Sequence, residues 1–147
     1  MNRSPGRRAI EELGRDEIDE LLRGQLVGRI GCHADGVTYV VPVIHAYDGD
    51  GIYVASVEGQ KVRMMRQNPN VCYEVDEYRG AGGWRSAIVQ GVYEELDAAG
   101  SKRALELLGE RFPGRDDRSG ERRRSAAGQE PVCFRIRVQT ASGRSVC

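Results

Sequence analysis

The chain has 147 residues, 39% hydrophobic and 30% charged, the length and composition of one globular domain able to bury a core without staples. Its 22 basic residues are matched by 22 acidic ones, which excludes the positive surplus that coating nucleic acid or an anionic membrane requires. The longest apolar run, from Tyr39 to Ile44, is far short of the 20 or so residues that span a bilayer.

Residues 1–9 carry Arg3, Pro5, Gly6, Arg7 and Arg8, a composition expected to stay mobile. Because this charged start has no apolar leader, the expected location is cytoplasmic. A helix is predicted from Asp16, capped by that residue, with Ile18, Leu21 and Leu22 on one stripe and Gly24 at its end. The period then changes to two. Residues 26–33 and 38–47 read as strands joined by the turn Ala34-Asp35-Gly36. Asp48 to Gly51 makes the next turn. Its two aspartates invite calcium, but the other ligands of a calcium loop are missing, so a hairpin turn is the better reading. A third strand covers residues 52–56.

Residues 58–68 are predicted helical, with Val62 and Met65 inward and Pro69 as the stop. A strand over residues 71–78, a glycine-rich connection at residues 80–83 and a long strand over residues 84–96 follow. Gly91 inside that last strand signals a bulge or a close backbone approach. A third helix spans residues 98–112, with Ala104, Leu105, Leu108 and Phe112 expected inward. Residues 114–128 form a polar stretch read as a surface loop, and a last strand covers residues 132–138. The result is a single, mainly β domain, a six-stranded antiparallel barrel with helices at its openings.

Chemistry-bearing motifs are scarce. Cys32, Cys72, Cys133 and Cys147 show no CxxC pair and no Cys/His metal spacing, so reduced thiols and no metal are expected. His33 and His45 have no catalytic context, and neither a GxGxxG turn nor a Walker A segment is present. Only two of the 22 basic residues are lysines, Lys61 and Lys102. Lys61 follows Ser56-Val-Glu-Gly-Gln at a helix start, where a cation opposes the helix dipole. Either it is an ordinary exposed lysine, or it helps the helix amides and the Ser56 hydroxyl to hold an anion. Pro42 inside a strong strand marks an edge, a bulge or a ligand, beside which the backbone of Val41, Val43 and Ile44 could pair with a planar heterocycle.

Several segments in order now carry a resemblance: Asp16-Glu-Ile-Asp-Glu-Leu-Leu22, Gly28-Arg-Ile-Gly31, Tyr39-Val-Val-Pro-Val43, Ile52-Tyr-Val-Ala-Ser56, Glu58-Gly-Gln-Lys61, Asn68-Pro-Asn-Val71, Gly83-Trp-Arg-Ser86 with Gly91, and Ser142-Gly143-Arg144. Together the chain resembles the FMN-binding split β-barrel proteins related to pyridoxamine 5'-phosphate oxidase, and among them the 5-nitroimidazole-resistance group. The resemblance implies a homodimer with FMN at the subunit interface. Its ring would lie against Pro42, Val43 and Ile44 and its phosphate against Ser56 and Lys61, with Trp84 and Ser86 lining the same crevice, from the partner chain if need be. His45 should face the flavin side of the strand with Val43, where its titration range suits proton transfer.

Two positions depart from that group. Ala55 stands where a histidine commonly precedes the serine, and His45 where a tyrosine is more frequent, so no catalytic residue carries over. The expectation is an FMN-dependent oxidoreductase acting on a small molecule, without nucleic-acid or membrane partners. Its rivals are a deazaflavin or haem protein on the same barrel, and a flavin-binding or sensing module without turnover.

Overall fold

The computed structural model describes residues 9–112 and 130–146. The expectations placed on residues 1–8 and on the 114–128 loop lie outside the described residues. The chain runs β1 (Ile10–Glu12), α1 (Arg15–Gly24), β2 (Val27–Ala34), β3 (Val37–Ile44), β4 (Ala46–Tyr47), β5 (Gly51–Ser56), α2 (Gln60–Gln67), β6 (Asn70–Tyr78), β7 (Trp84–Glu95), α3 (Ala98–Arg111) and β8 (Val132–Val146). Every strand pair is antiparallel, and the sheet order is β3-β2-β6-β7-β8-β5-β4, with β1 added to β8. β3 and β4 stand at opposite ends of that order yet are separated in the chain by His45 alone. The sheet therefore curls until its two ends meet at one residue, a split barrel rather than a hydrogen-bonded closed one.

Among the described residues, eight strands replace the six expected. Ile10–Glu12 pairs with Arg144 to Val146, which also carries the last strand eight residues past the predicted Val138 end. The predicted strand 38–47 is broken in two at His45.

Local chemistry accounts for most of the rest. Asp35 and Gly36 have φ of 51° and 76°, the left-handed pair that a two-residue hairpin turn needs. The Asp48 carboxylate accepts the N–H groups of Asp50 and Gly51, both at 2.9 Å, so the aspartates close a turn. α1 starts one residue before the expected Asp16 cap. Gly14 holds the cap position, and its N–H donates to Glu17 Oε2 at 3.2 Å. Ile18, Leu21 and Leu22 are buried as the stripe required, and they seat α1 on the curled sheet.

α3 packs less deeply. Ala104 is fully buried against Tyr53 and Cys133 with Leu107 beside it, whereas Leu105, expected inward, is 40% exposed. Its position puts it about 100° around the helix from Ala104.

Two glycines are dictated by close approach. At Gly91, where β7 shifts register against β8, a Cβ would lie 2.6 Å from the Arg137 carbonyl oxygen. At Gly28 a Cβ would lie 2.3 Å from the ring of Tyr73. Gly28→Ala should therefore displace Tyr73 and cost roughly 2 kcal/mol or more, read as a lowered urea midpoint with an unchanged slope. An unaltered midpoint would show that the ring can move aside.

Candidate functional site

Lys61 occupies the second position of α2, behind Gly59, which caps the helix without a side-chain hydrogen bond. The first turn holds no acidic residue, and Glu58 is engaged by Arg66. The Lys61 ammonium is half-buried, and burial pushes its pKa down; the neighbouring titratable group is the Cys32 thiol, which burial pushes up and so keeps protonated and neutral. No carboxylate among the described residues forms an ion pair with it. A half-buried cation without a counter-ion, beside helix amides with no capping side chain, is the local chemistry of an anion site. Ser56 ends β5 opposite Val132, five residues before Lys61. Its hydroxyl donates to the Val57 carbonyl at 3.0 Å, a bond that a stronger acceptor can replace.

Pro42 lies in β3, at the edge of the sheet. The His45 N–H donates to the Leu26 carbonyl at 3.1 Å, so by the period of two Val43 and Val41 also turn their backbone groups to β2. Val40, Pro42 and Ile44 then face the open edge. Pro42 lacks its N–H where no ladder bond is lost, and the Ile44 N–H and the carbonyls beside it are left for an outside partner. Val43 packs its side chain on the core, so of the three residues expected against the ring, Pro42 and Ile44 present themselves and Val43 does not.

His45 does not stand at this edge. It is 0% exposed. Its Nε2 lies 2.8 Å from the Leu22 carbonyl and its Nδ1 2.5 Å from the Tyr73 hydroxyl. A carbonyl only accepts, so Nε2 carries the proton and Nδ1 accepts from Tyr73. Desolvation lowers its pKa to about 4. Both nitrogens being engaged, the expected flavin-side contact and proton-transfer role are replaced by a structural one. Arg111 completes the cluster from α3, donating to the Arg23 and Gln25 carbonyls at the C-terminal end of α1.

Trp84 and Ser86 open β7, the central strand of the sheet order. Ser86 is opposite Arg144 of β8, while Ser56 is opposite Val132. Those partners are twelve positions apart along β8, about 40 Å of contour in an extended strand. Along β8, Ser56 thus stands well apart from Trp84 and Ser86 of the same chain.

The sequence reading included Arg29 in a motif but missed its ion pairs. Directly opposite Pro42, it is held by Glu74 at 3.2 Å and Asp76 at 2.8 Å. Burial and the neighbouring Asp76 raise the Glu74 pKa. The available signal was the alternation of outward charges along Arg29, Glu74 and Asp76.

The family model described as pyridoxamine 5'-phosphate oxidase matches residues 14–145. The chain belongs to the pyridoxamine 5'-phosphate oxidase family. A protein of Rhizobium meliloti is 33% identical over 89 residues, 60% of this chain and 59% of that relative, so the match spans less than two thirds of its length. An FAD-binding protein of Mesorhizobium loti is 32% identical with a TM-score of 0.79, covering 95% of this chain and 98% of its own. A structure named for 5-nitroimidazole antibiotic resistance, from Bacteroides thetaiotaomicron, superposes with a TM-score of 0.71 at 20% identity, over 93% of this chain and 89% of its own. The split-barrel fold inferred from the motifs is the fold of this family. Among the described residues no helix is long and apolar enough to cross a membrane.

Proposed function

We propose that this chain binds FMN and serves as an oxidoreductase on a small molecule. The observation that carries the reading is the Lys61 ammonium, half-buried at the start of α2 without a carboxylate partner. Its chemistry fits one phosphate, with Ser56 supplying a hydroxyl and Gly59 to Val62 supplying backbone N–H groups. The open edge at Pro42 and Ile44 fits the rim of a planar ring. A bound flavin supplies electron and hydride exchange; the residues of the chain anchor its phosphate, fix its plane and shield it from water. FAD is the second reading, favoured by the Mesorhizobium loti protein at 32% identity. An absorption spectrum of the purified protein and mass spectrometry of the heat-released ligand test both. FMN is expected; FAD would move the assignment to the second reading, and a haem or deazaflavin would overturn it.

The reading includes a homodimer. In it Trp84 and Ser86 line the crevice of Ser56 and Lys61 from the partner chain, a reading supported by their separation along β8, and a two-fold axis supplies both crevices at once. The outer face of the sheet supports such a contact, with Val27 at 44%, Val40 at 64% and Ile88 at 43% exposure. Light scattering should give twice the 16.3 kDa chain mass. A monomer at micromolar concentration would remove the shared crevice.

A further inference from the structure

Arg144 stands on the same face of the sheet as Ser86 and Trp84. The alternation of β8 is fixed there by close packing. Gly143 and Ser145 are buried, and a Cβ at Gly143 would lie 2.9 Å from Leu13, 3.0 Å from the Ser86 carbonyl oxygen and 3.1 Å from Ile18. With those two residues turned inward, Arg144 between them turns outward and is exposed. Its partners across the ladder are Ser86 of β7 on one side and Glu12 of β1 on the other. Directly paired residues share a face, so Ser86 and Arg144 face the same way, and Trp84, two residues before Ser86, joins them. Arg144 forms no ion pair with a described residue.

Other cations of the sheet and of α2 are committed. Arg29 is held by Glu74 and Asp76, Arg135 and Arg137 by Glu94, and Arg66, on the helix of Lys61, by Glu58 and Glu95. Arg63, two residues past Lys61, stands about 200° around α2 from it. A phosphate monoester carries a charge of about −1.5 to −2 at neutral pH, of which Lys61 neutralises only one unit. We infer that Arg144 is the second cation at the flavin phosphate, reaching the crevice of Lys61 and Ser56 from the partner chain. This rests on the flavin and dimer reading above, in which Ser86 and Trp84 arrive from that chain. Whatever brings Ser86 there brings Arg144 with it, because the two are paired across one ladder. A guanidinium presents a planar fork of donors that matches two phosphate oxygens, whereas an ammonium acts as a point charge. Glu12, exposed beside Arg144, is not paired with it, so a phosphate displaces no carboxylate.

Titrations of the full-length protein, followed by flavin fluorescence, test the assignment. Arg144→Ala should weaken FMN by roughly tenfold or more, as the loss of a charge-assisted contact does, and leave riboflavin, which has no phosphate, unchanged. Equal FMN affinities of Arg144→Ala and wild type, or an equal loss for both ligands, would overturn it. Arg144→Gln, which keeps the outer face polar, takes the place of the alanine variant if light scattering shows that alanine disturbs the dimer. A mixed dimer reads which chain supplies the cation. Lys61→Ala and Arg144→Ala chains with different affinity tags are co-expressed, and the heterodimer is isolated through both tags. If the two residues meet across the two-fold axis, one site keeps both cations and the other keeps neither. Half of the sites then bind FMN with wild-type affinity. If they meet within one chain, every site lacks one cation and none binds as wild type, which overturns the placement. Failure of the flavin reading looks different. Wild type that binds no FMN removes both, whereas FMN binding weakened by Lys61→Ala but not by Arg144→Ala keeps the cradle and discards Arg144.

Discussion

Replacing Lys61 with alanine is expected to weaken FMN binding by roughly 10- to 150-fold, because it removes a charge-assisted contact of about 1.5–3 kcal/mol. The protein without flavin should be as stable as wild type or slightly more so. A cation then leaves the positive end of α2, where no acidic side chain in the first turn offsets it, and a half-buried ammonium is no longer desolvated. Lys61→Arg should fall between the two, since a planar fork fits a short turn less well than a compact ammonium. An exposed helical lysine without a role predicts instead that flavin affinity is unchanged. Flavin-fluorescence titrations of the three proteins decide, and equal dissociation constants would dismiss the anion cradle. The combination matters more than either number: loss of affinity without loss of stability is what a binding residue, rather than a packing residue, produces.

Where local rules operate, the sequence was a sufficient guide. The Ile18, Leu21, Leu22 stripe, the Asp35-Gly36 turn, the irregularity at Gly91 and the edge position of Pro42 each follow from one residue's geometry, and each is present. Elements set by distant partners were hidden. Ile10–Glu12 is too short and polar to show a period of two, and it exists because the end of β8 offers it an edge. Residues 139–145 carry too few apolar side chains to announce that β8 continues through them. The inward face of α3 was misplaced because a single turn of Ala104 and Leu105 fits two stripes, and only the contact with Tyr53 and Cys133 chooses between them.

The candidate site divides along the same line. Ser56 and Lys61 are five residues apart, so their proximity and the helix start could be read directly. The separation of Trp84 and Ser86 from them depends on the registers of β5 and β7 against β8, which no local pattern encodes. Arg29 was quoted within a motif, yet its pairing with Glu74 and Asp76 depends on which strand lies next to β2. His45 shows the limit most sharply. By strand alternation it belonged on the same face as Val43, and it does turn inward with that residue. What alternation could not show is that the inward face at this point is the seam of the barrel, where Leu22, Tyr73 and Arg111 arrive from three other elements.

That seam makes the protein's stability depend on pH through His45. The ring is buried in its neutral form with a pKa lowered from 6.5 to about 4, chiefly by desolvation, with the nearby Arg111 charge acting in the same direction and the Leu22 bond against it. Tyr73, whose own pKa burial raises, stays protonated and donates to Nδ1. The unfolded chain therefore takes up a proton at His45 before the folded one does. The stabilisation is complete above pH 6.5 and is lost as the pH falls from there toward 4, by about 3 kcal/mol across the window. Below it, the Arg-paired carboxylate of Glu77, held to about 2, loses its advantage in a separate and lower range. His45→Gln keeps one amide donor for Leu22 and removes the titrating ring, so its stability at pH 7 should drop while its slope between pH 6.5 and 4 flattens. His45→Leu strands both the Leu22 carbonyl and the Tyr73 hydroxyl in the core, for about 2–5 kcal/mol at any pH in that range. Urea midpoints measured at half-unit intervals from pH 4 to 8 test all three proteins. Parallel wild-type and His45→Gln curves would mean that the buried ring is not held neutral. A steeper wild-type curve that converges on the variant near pH 4 is the result that the His45, Tyr73 and Leu22 geometry demands.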